Sequence, residues 1–247
     1  MEPPPLSSTS PSPVSGPSPV SGAHALNGAT IVFDLDGTLI ETAPDLVGTL
    51  NVLLAREGIA ALPLEKARMM IGQGAKALIT RGFAAAGVPL EEPRLSALFD
   101  DFIVHYLAHI ADESRPFPGL MAAMDTLEAA GARLAVCTNK RTDLSVALLE
   151  ELKLAHRFAA IVGGDAVPAQ KPAAGHLIAT IERSGGDVKR AVMIGDSVSD
   201  ARAARGAGIP LVLVSFGYTD TPARELCPDM LIDHFDELVG ACESLLG

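Results

Sequence analysis

The chain has 247 residues, 48% of them hydrophobic and 20% charged, which suits one large or two modest globular domains with ample material for a core. A formal net charge of -11 disfavours nonspecific binding to nucleic acid or anionic membranes, and scarce aromatics (4%, no Trp) count against stacking platforms for bases or sugars. Cys137, Cys227 and Cys242 have neither disulfide nor metal-site spacing, and no apolar run reaches membrane-spanning length, so a cytoplasmic protein without a membrane partner is expected.

Residues 1–27 are dominated by Pro, Ser and Gly, with Pro13-Val14-Ser15-Gly16 repeated as Pro19-Val20-Ser21-Gly22. Such a composition cannot bury enough apolar surface to order itself, so a disordered tail is expected. The first Lys or Arg is Arg56, so the basic stretches of secretory and transit peptides are missing.

Ile31-Val32-Phe33 opens a buried strand that ends in Asp34-Leu35-Asp36-Gly37-Thr38. In an open α/β sheet, ligands bind outside the carboxyl ends of the strands, so Asp34 and Asp36 stand where a chemical site is expected. A bound divalent cation would relieve the repulsion of two like charges this close. Asp34 is a candidate nucleophile, since a carboxylate can form an acyl-phosphate; Asp36 is a candidate proton shuttle. The plain alternative is a turn that uses Asp and Gly for local hydrogen bonds.

From Asp45 to about His109 the pattern is helical. Leu46, Leu50, Leu53 and Leu54 make one stripe, and Leu95, Leu98, Phe99, Phe102 and Leu107 another. This predicts an all-helical insertion at 44–114, able to fold over a site as a cap, between core segments 28–43 and 115–247. Within it, Gly72-Gln73-Gly74 leads into a helix beginning near Lys76, and exposed backbone N–H groups at a helix start suit an anion. A plain helix joint with a solvated Lys76 is the alternative.

The core resumes at Arg115 to Gly119. A helix to Ala130 is followed by a strand from Arg133, which ends in Thr138-Asn139-Lys140. The hydroxyl of Thr138 and the amide of Asn139 could hold phosphate oxygens or cap a helix. A helix at 143–152 and a strand at 158–162 follow. Lys171-Pro172 then precedes a helix, with Lys171 a candidate cation for Asp34 or a phosphate. A further strand at 190–195 ends in Gly195-Asp196-Ser197, with Asp200 four residues after Asp196. Helix-start aspartates have a capping role, yet these two complete the oxygen-rich set that Mg²⁺ prefers. Strands at 211–214 and 230–232 and a last helix from Phe235 close the chain.

In this order, Asp34-Leu35-Asp36-Gly37-Thr38, Thr138, Lys171-Pro172 and Gly195-Asp196-Ser197 with Asp200 resemble the haloacid dehalogenase-like hydrolase superfamily. The resemblance covers nearly everything after Ala29. It implies an α/β fold, a Rossmann-like parallel-sheet core with an inserted all-helical cap, and Mg²⁺-dependent phosphoryl transfer to an aspartate. By this resemblance Asp34 is nucleophile and metal ligand. Asp36 is general acid/base and offers its carbonyl to the metal. Thr138 and Lys171 bind the phosphoryl group, Asp196 ligates the metal, and Asp200 supports the metal site and orients Lys171.

Glu41 to Leu46, Ile71 to Ala75 and Gly163-Gly164-Asp165 further resemble bacterial phosphoglycolate phosphatases. A small phosphorylated metabolite, above all 2-phosphoglycolate, is therefore the expected partner of a monomer or homodimer, with Gly72, Gln73, Gly74 and Lys76 as cap contacts. Glu41, in place of the usual Asp, and Ala173-Ala174, in place of Asp-Pro, depart from that pattern. A sugar-phosphate phosphatase or phosphomutase, a receiver-like phosphoacceptor domain and a non-catalytic module are the rival readings. The long helical insertion counts against the receiver, a single domain of about 120 residues with short connections.

Overall fold

Alternate residues of each strand face opposite sides of a sheet, and the core divides accordingly. Ile31, Phe33, Leu134, Val136, Val192 and Ile194 join one apolar cluster, whereas Val32, Ala135, Cys137 and Met193 join another. Both faces are covered, as a parallel sheet requires. Helices Leu120–Ala129, Thr142–Glu151 and Leu238–Leu246 supply Leu127, Leu148 and Leu238 to the first cluster. Helices Ala174–Arg183 and Val198–Ala207 supply Leu177, Ile181 and Ala204 to the second.

The computed structural model describes residue 1 and residues 25–247, so the expected tail lies almost wholly outside the described residues. Its expected boundary at 27 falls too late. Leu26 is buried in the first cluster, and Arg190 donates to the carbonyls of Ala25 (2.8 Å) and Asn27 (3.2 Å).

Strands β1 (Thr30–Phe33), β4 (Arg133–Cys137), β5 (Ala160–Val162), β6 (Ala191–Gly195), β7 (Leu211–Val214) and β8 (Met230–Ile232) form one parallel sheet in the order β5-β4-β1-β6-β7-β8. β1 sits between β4 and β6, with Phe33 beside both Val136 and Ile194. The chain winds outward from β1 to β4 and β5, then returns to the other side of β1 with β6. That reversal is the switch point at which such sheets bind ligands.

Two short strands escaped the sequence reading. β2 (Ile40–Glu41) and β3 (Arg115–Pro116) pair antiparallel, with Glu41 opposite Arg115. Two residues are too few for a periodicity signal, so the sequence offers only a connector and helix start at 41–44. Between them run helices Ala43–Arg56, Leu64–Ala67, Ala75–Ala85 and Arg94–Ala108. Pro44 occupies the first turn of the first of these, where its missing N–H costs nothing. Asp45 ties that helix to the end of the insert, accepting Ser114 N (2.8 Å) and Oγ (2.6 Å). The expected stripe on the last insert helix is corrected at one position. Leu98, Phe102 and Tyr106 follow one another at four-residue spacing and are buried, while Leu107, a further 100° around, is 43% exposed. No helix among the described residues is long and apolar enough to cross a membrane.

Candidate active site

Because β1, β4 and β6 run side by side in register, the residues just past them meet at one edge. Asp34 follows β1, Thr138 follows β4 and Asp196 follows β6, while Lys171 and Asp200 reach in from the loop after β5 and from the first turn of helix Val198–Ala207. Asp34 Oδ1 accepts the N–H of Leu35 (2.7 Å) and lies 2.9 Å from Lys171 Nζ. Lys171 Nζ also donates to Asp200 Oδ1 at 2.6 Å. Lys171, Asp196 and Asp200 are at most 2% exposed.

The electrostatics follow from that burial. Desolvation pushes the Asp34 carboxyl up to about 7, against the pull of Lys171, and the Asp200 charge adds to the rise. Asp196 is raised well above the carboxylate range by burial first, then by Asp200 and Asp34. Burial works against the charge on Lys171, but Asp200 and Asp34 outweigh it and hold it as an ammonium.

Asp34, Asp196 and Asp200 each offer a carboxylate oxygen within 4.8 Å of the others. Three buried carboxylates stand beside one lysine, which pairs with Asp34 and Asp200 but not with Asp196; this excess of negative charge on oxygen donors fits a hard divalent cation. The three differ in freedom, however. Asp200 Oδ1 takes Lys171, and its Oδ2 takes Ser197 N (3.1 Å) and Ser197 Oγ (2.7 Å) in a capping box. Asp196 holds Thr38 Oγ1 (3.1 Å) and Tyr218 N (2.6 Å), one partner on each oxygen. Gly37 makes room for this: its φ is +86°, and a Cβ there would come within 2.8 Å of Asp196 Oδ2.

Asp36 points elsewhere. Its Oδ1 accepts Thr42 Oγ1 (2.8 Å) and Lys140 Nζ (3.0 Å). Thr138 Oγ1 accepts the Lys140 N–H at 3.1 Å, which leaves its own hydrogen for an acceptor. Asp34, Asp36, Thr138, Asn139 and Lys140 line one cavity, with Gly72, Gly74, Leu78, Phe99, Phe102 and Tyr106 of the insert opposite.

Three expectations change here. Asn139 is not a free amide donor, since its Nδ2 already serves Gly72 O (3.1 Å) and Lys171 O (3.0 Å); it ties the core to the insert. Lys76 is not in the cavity lining. Half exposed, it pairs with Glu92 at 3.7 Å and lies over Phe99, because the first turn of helix Ala75–Ala85 carries it outward. Gln73 likewise lines an outer groove with Lys171, Ser199 and Arg202 rather than this cavity. Of the glycine turn, only Gly72 and Gly74 reach the cavity.

Four residues went unread in the sequence. Lys140 was only the last letter of a strand run, and Tyr106 a helix residue. Tyr218 Oη accepts the N–H groups of Thr42 (2.8 Å) and Ala43 (3.0 Å) and donates to Glu41, which also takes Arg68 Nη2 at 3.1 Å. His176, fully buried, accepts the Lys171 N–H on Nδ1 (3.2 Å) and donates from Nε2 to Val162 O (3.1 Å), so it fastens the lysine loop to β5. Burial, then the Lys171 charge, lowers its imidazole to about 4. A lysine at a strand end was the one available signal; the other three depend on contacts far apart in sequence.

The fold and this constellation define an α/β protein of the Rossmann-like class, with a helical segment inserted beside a buried carboxylate cluster at the sheet's carboxyl edge. The sequence profile of the haloacid dehalogenase-like hydrolases matches residues 31–214, and the chain belongs to that family. It is 55% identical over 218 residues to a phosphoglycolate phosphatase from Caulobacter vibrioides, covering 88% of this chain and 92% of that one. The crystal structure of a predicted phosphoglycolate phosphatase from Haemophilus somnus superposes with a TM-score of 0.81 at 28% identity, over 87% of this chain and 98% of that one. CbbY from Rhodobacter sphaeroides, solved in complex with phosphate, superposes at 0.71 and 28% identity, over 85% and 96% of the two chains.

Proposed function

We propose that this protein is a Mg²⁺-dependent phosphatase that hydrolyses 2-phosphoglycolate to glycolate and inorganic phosphate through an aspartyl-phosphate on Asp34. The observation that carries the chemistry is Asp34 itself. It is held by Lys171 and Leu35 through Oδ1 alone, at a cavity wall it shares with Thr138 and Asp36. The Caulobacter relative supports the choice of substrate, and the phosphate-bound CbbY supports a phosphorylated ligand.

In this reading Asp34 Oδ2 attacks phosphorus in line with the ester oxygen. The phosphorus–oxygen bond to glycolate breaks, and the departing alkoxide takes a proton from Asp36. Asp36, now a base, draws a proton from water, whose oxygen attacks the same phosphorus and frees Asp34 with inorganic phosphate. Lys171 and the Thr138 hydroxyl balance charge on the phosphoryl oxygens, because positioning and charge neutralisation do most of the work in this reaction class. Asp34 and Asp196, with the Asp36 carbonyl, are the residues that would hold Mg²⁺; Asp200, both of whose oxygens are committed, holds Lys171. The bound ion would supply neutralisation of the phosphoryl charge. Residues 43–108 act as the cap, closing the leaving-group side of the cavity.

A panel of small phosphate esters assayed for phosphate release with and without Mg²⁺ tests this. We expect the highest kcat/KM for 2-phosphoglycolate and no turnover after chelation. A clear preference for a hexose phosphate would support the sugar-phosphate alternative, and metal-independent hydrolysis would sink the mechanism.

A further inference from the structure

One buried cation beside the cavity has no part in the hydrolysis scheme. Lys140 lies two residues past Thr138, and only 5% of its side chain is exposed. Its Nζ is 3.0 Å from Asp36 Oδ1 and 4.6 Å from the centre of the Tyr106 ring. Burial is the largest single influence and opposes its charge, but Asp36 and Tyr106 together outweigh it, and the side chain stays an ammonium. An ammonium carries three hydrogens; Asp36 takes one, the Tyr106 oxygen faces another, and the third is left for a ligand.

Tyr106 adds a second donor. Its buried hydroxyl oxygen faces the Lys140 ammonium, but among the described residues its hydrogen meets no acceptor. Burial pushes the phenol up to about 12, so the proton stays on. The neighbouring ammonium has no lone pair to accept that proton, so the phenolic hydrogen is left over. A buried hydroxyl without an acceptor is costly, which points to an acceptor that arrives with a ligand.

The nearby cations are committed elsewhere. The Arg141 fork is closed on Asp143 (3.0 and 2.8 Å), Lys171 sits between Asp34 and Asp200 and serves the phosphoryl end in the proposed scheme, and Lys76 pairs with Glu92. The wall beside Lys140 and Tyr106 is apolar, formed by Leu46, Phe99 and Phe102. An N⁺–H and an O–H side by side on an apolar wall complement an acceptor with negative charge and two oxygens.

We propose that Lys140 Nζ and Tyr106 Oη form the receptor for a carboxylate on the leaving group, and that Lys140 selects phosphate esters of short hydroxy-carboxylic acids. This deepens the phosphatase reading and rests on it. The ammonium would bridge Asp36 and the substrate carboxylate, holding the ester oxygen toward the proposed acid.

The test compares kcat/KM for 2-phosphoglycolate with that for ethyl phosphate, which has a methyl group in place of the carboxylate. Loss of an Asp36 contact slows both substrates, so the readout is their ratio. A hydrogen bond to a charged group corresponds to about a 10- to 100-fold effect. In Lys140→Met the preference for 2-phosphoglycolate should fall by about that factor. In Tyr106→Phe it should fall by roughly three- to tenfold, and inhibition by glycolate should weaken in step. Should Lys140→Met fail to fold, Tyr106→Phe and the glycolate measurement still decide. An unchanged ratio with unchanged glycolate inhibition overturns the receptor while leaving the phosphatase reading intact. A wild-type protein that does not favour 2-phosphoglycolate over ethyl phosphate overturns both the substrate assignment and the receptor.

Discussion

The two ends of the cavity are built on different principles. At the sheet edge, Asp34, Asp196, Asp200 and Lys171 are buried and interlocked, each placed by a strand end, an adjoining loop or a helix cap. At the insert side, Leu78, Phe99 and Phe102 come from helices and offer apolar surface. Groups set by strand register are fixed to the backbone ladder, whereas a wall of helices is set only by packing against its neighbours. Chemistry is thus assigned to the rigid end and selectivity to the seam where the two ends meet, at Lys140 of the core and Tyr106 of the insert, and variants at the two places should fail in different ways.

The largest effect is expected at the rigid end. Asp34→Asn keeps an acceptor for Leu35 but loses the nucleophile, so phosphate release should fall to background for alkyl and aryl esters alike. Retained turnover on either would break the comparison. Chelation should also abolish turnover. Mg²⁺ should raise the melting temperature of the wild type, by about 2.7 kcal/mol of stabilisation at a hundredfold excess over Kd, and this gain should vanish in Asp196→Asn. An equal gain in both would remove Asp196 from the metal site.

Asp36→Asn should lower kcat by about 10²–10⁴-fold on 2-phosphoglycolate, the usual worth of general acid–base catalysis. The loss should shrink on an aryl phosphate, whose phenolate needs less protonation; a uniform loss would argue for a structural role. A smaller effect belongs to pH. His176 is held neutral, with its folded pKa near 4 against an unfolded 6.5. Its contribution is complete above pH 6.5 and is lost as pH falls toward 4, because only the unfolded chain binds the proton over that range. The wild-type melting temperature should therefore fall more steeply across this window than that of His176→Gln, and parallel slopes would contradict it. The smallest effect is expected at Lys76. An exposed pair with Glu92 is worth little, so Lys76→Ala should change kcat/KM by less than about twofold. A tenfold KM increase would return Lys76 to the substrate site.

Much of the rigid end was legible in the sequence for a physical reason. Asp34, Thr138 and Asp196 each end a run of buried strand residues, and parallel strands deliver their carboxyl ends to one edge. Lys171 was legible through the motif order, but its grip by His176 was not, since that contact depends on the angle of a loop. The insert end was far less readable. Helical periodicity found its apolar stripes but assigned Leu107 where Tyr106 is buried, an error of one residue and 100°. Lys76 looked like an anion contact because a glycine turn precedes it, yet the turn aims its side chain at Glu92. Lys140 meets Asp36 across 104 positions of chain, a distance that no local pattern reports.

The central claim is a covalent phosphoenzyme on Asp34. Mixing the protein with radiolabelled 2-phosphoglycolate and Mg²⁺, quenching in acid during the first turnover and mapping the label tests it most directly. The expected result is a hydroxylamine-labile phosphoryl group on the peptide carrying Asp34, absent from Asp34→Asn. Label on another residue, or phosphate release at full rate with no labelled protein at any time, would contradict it.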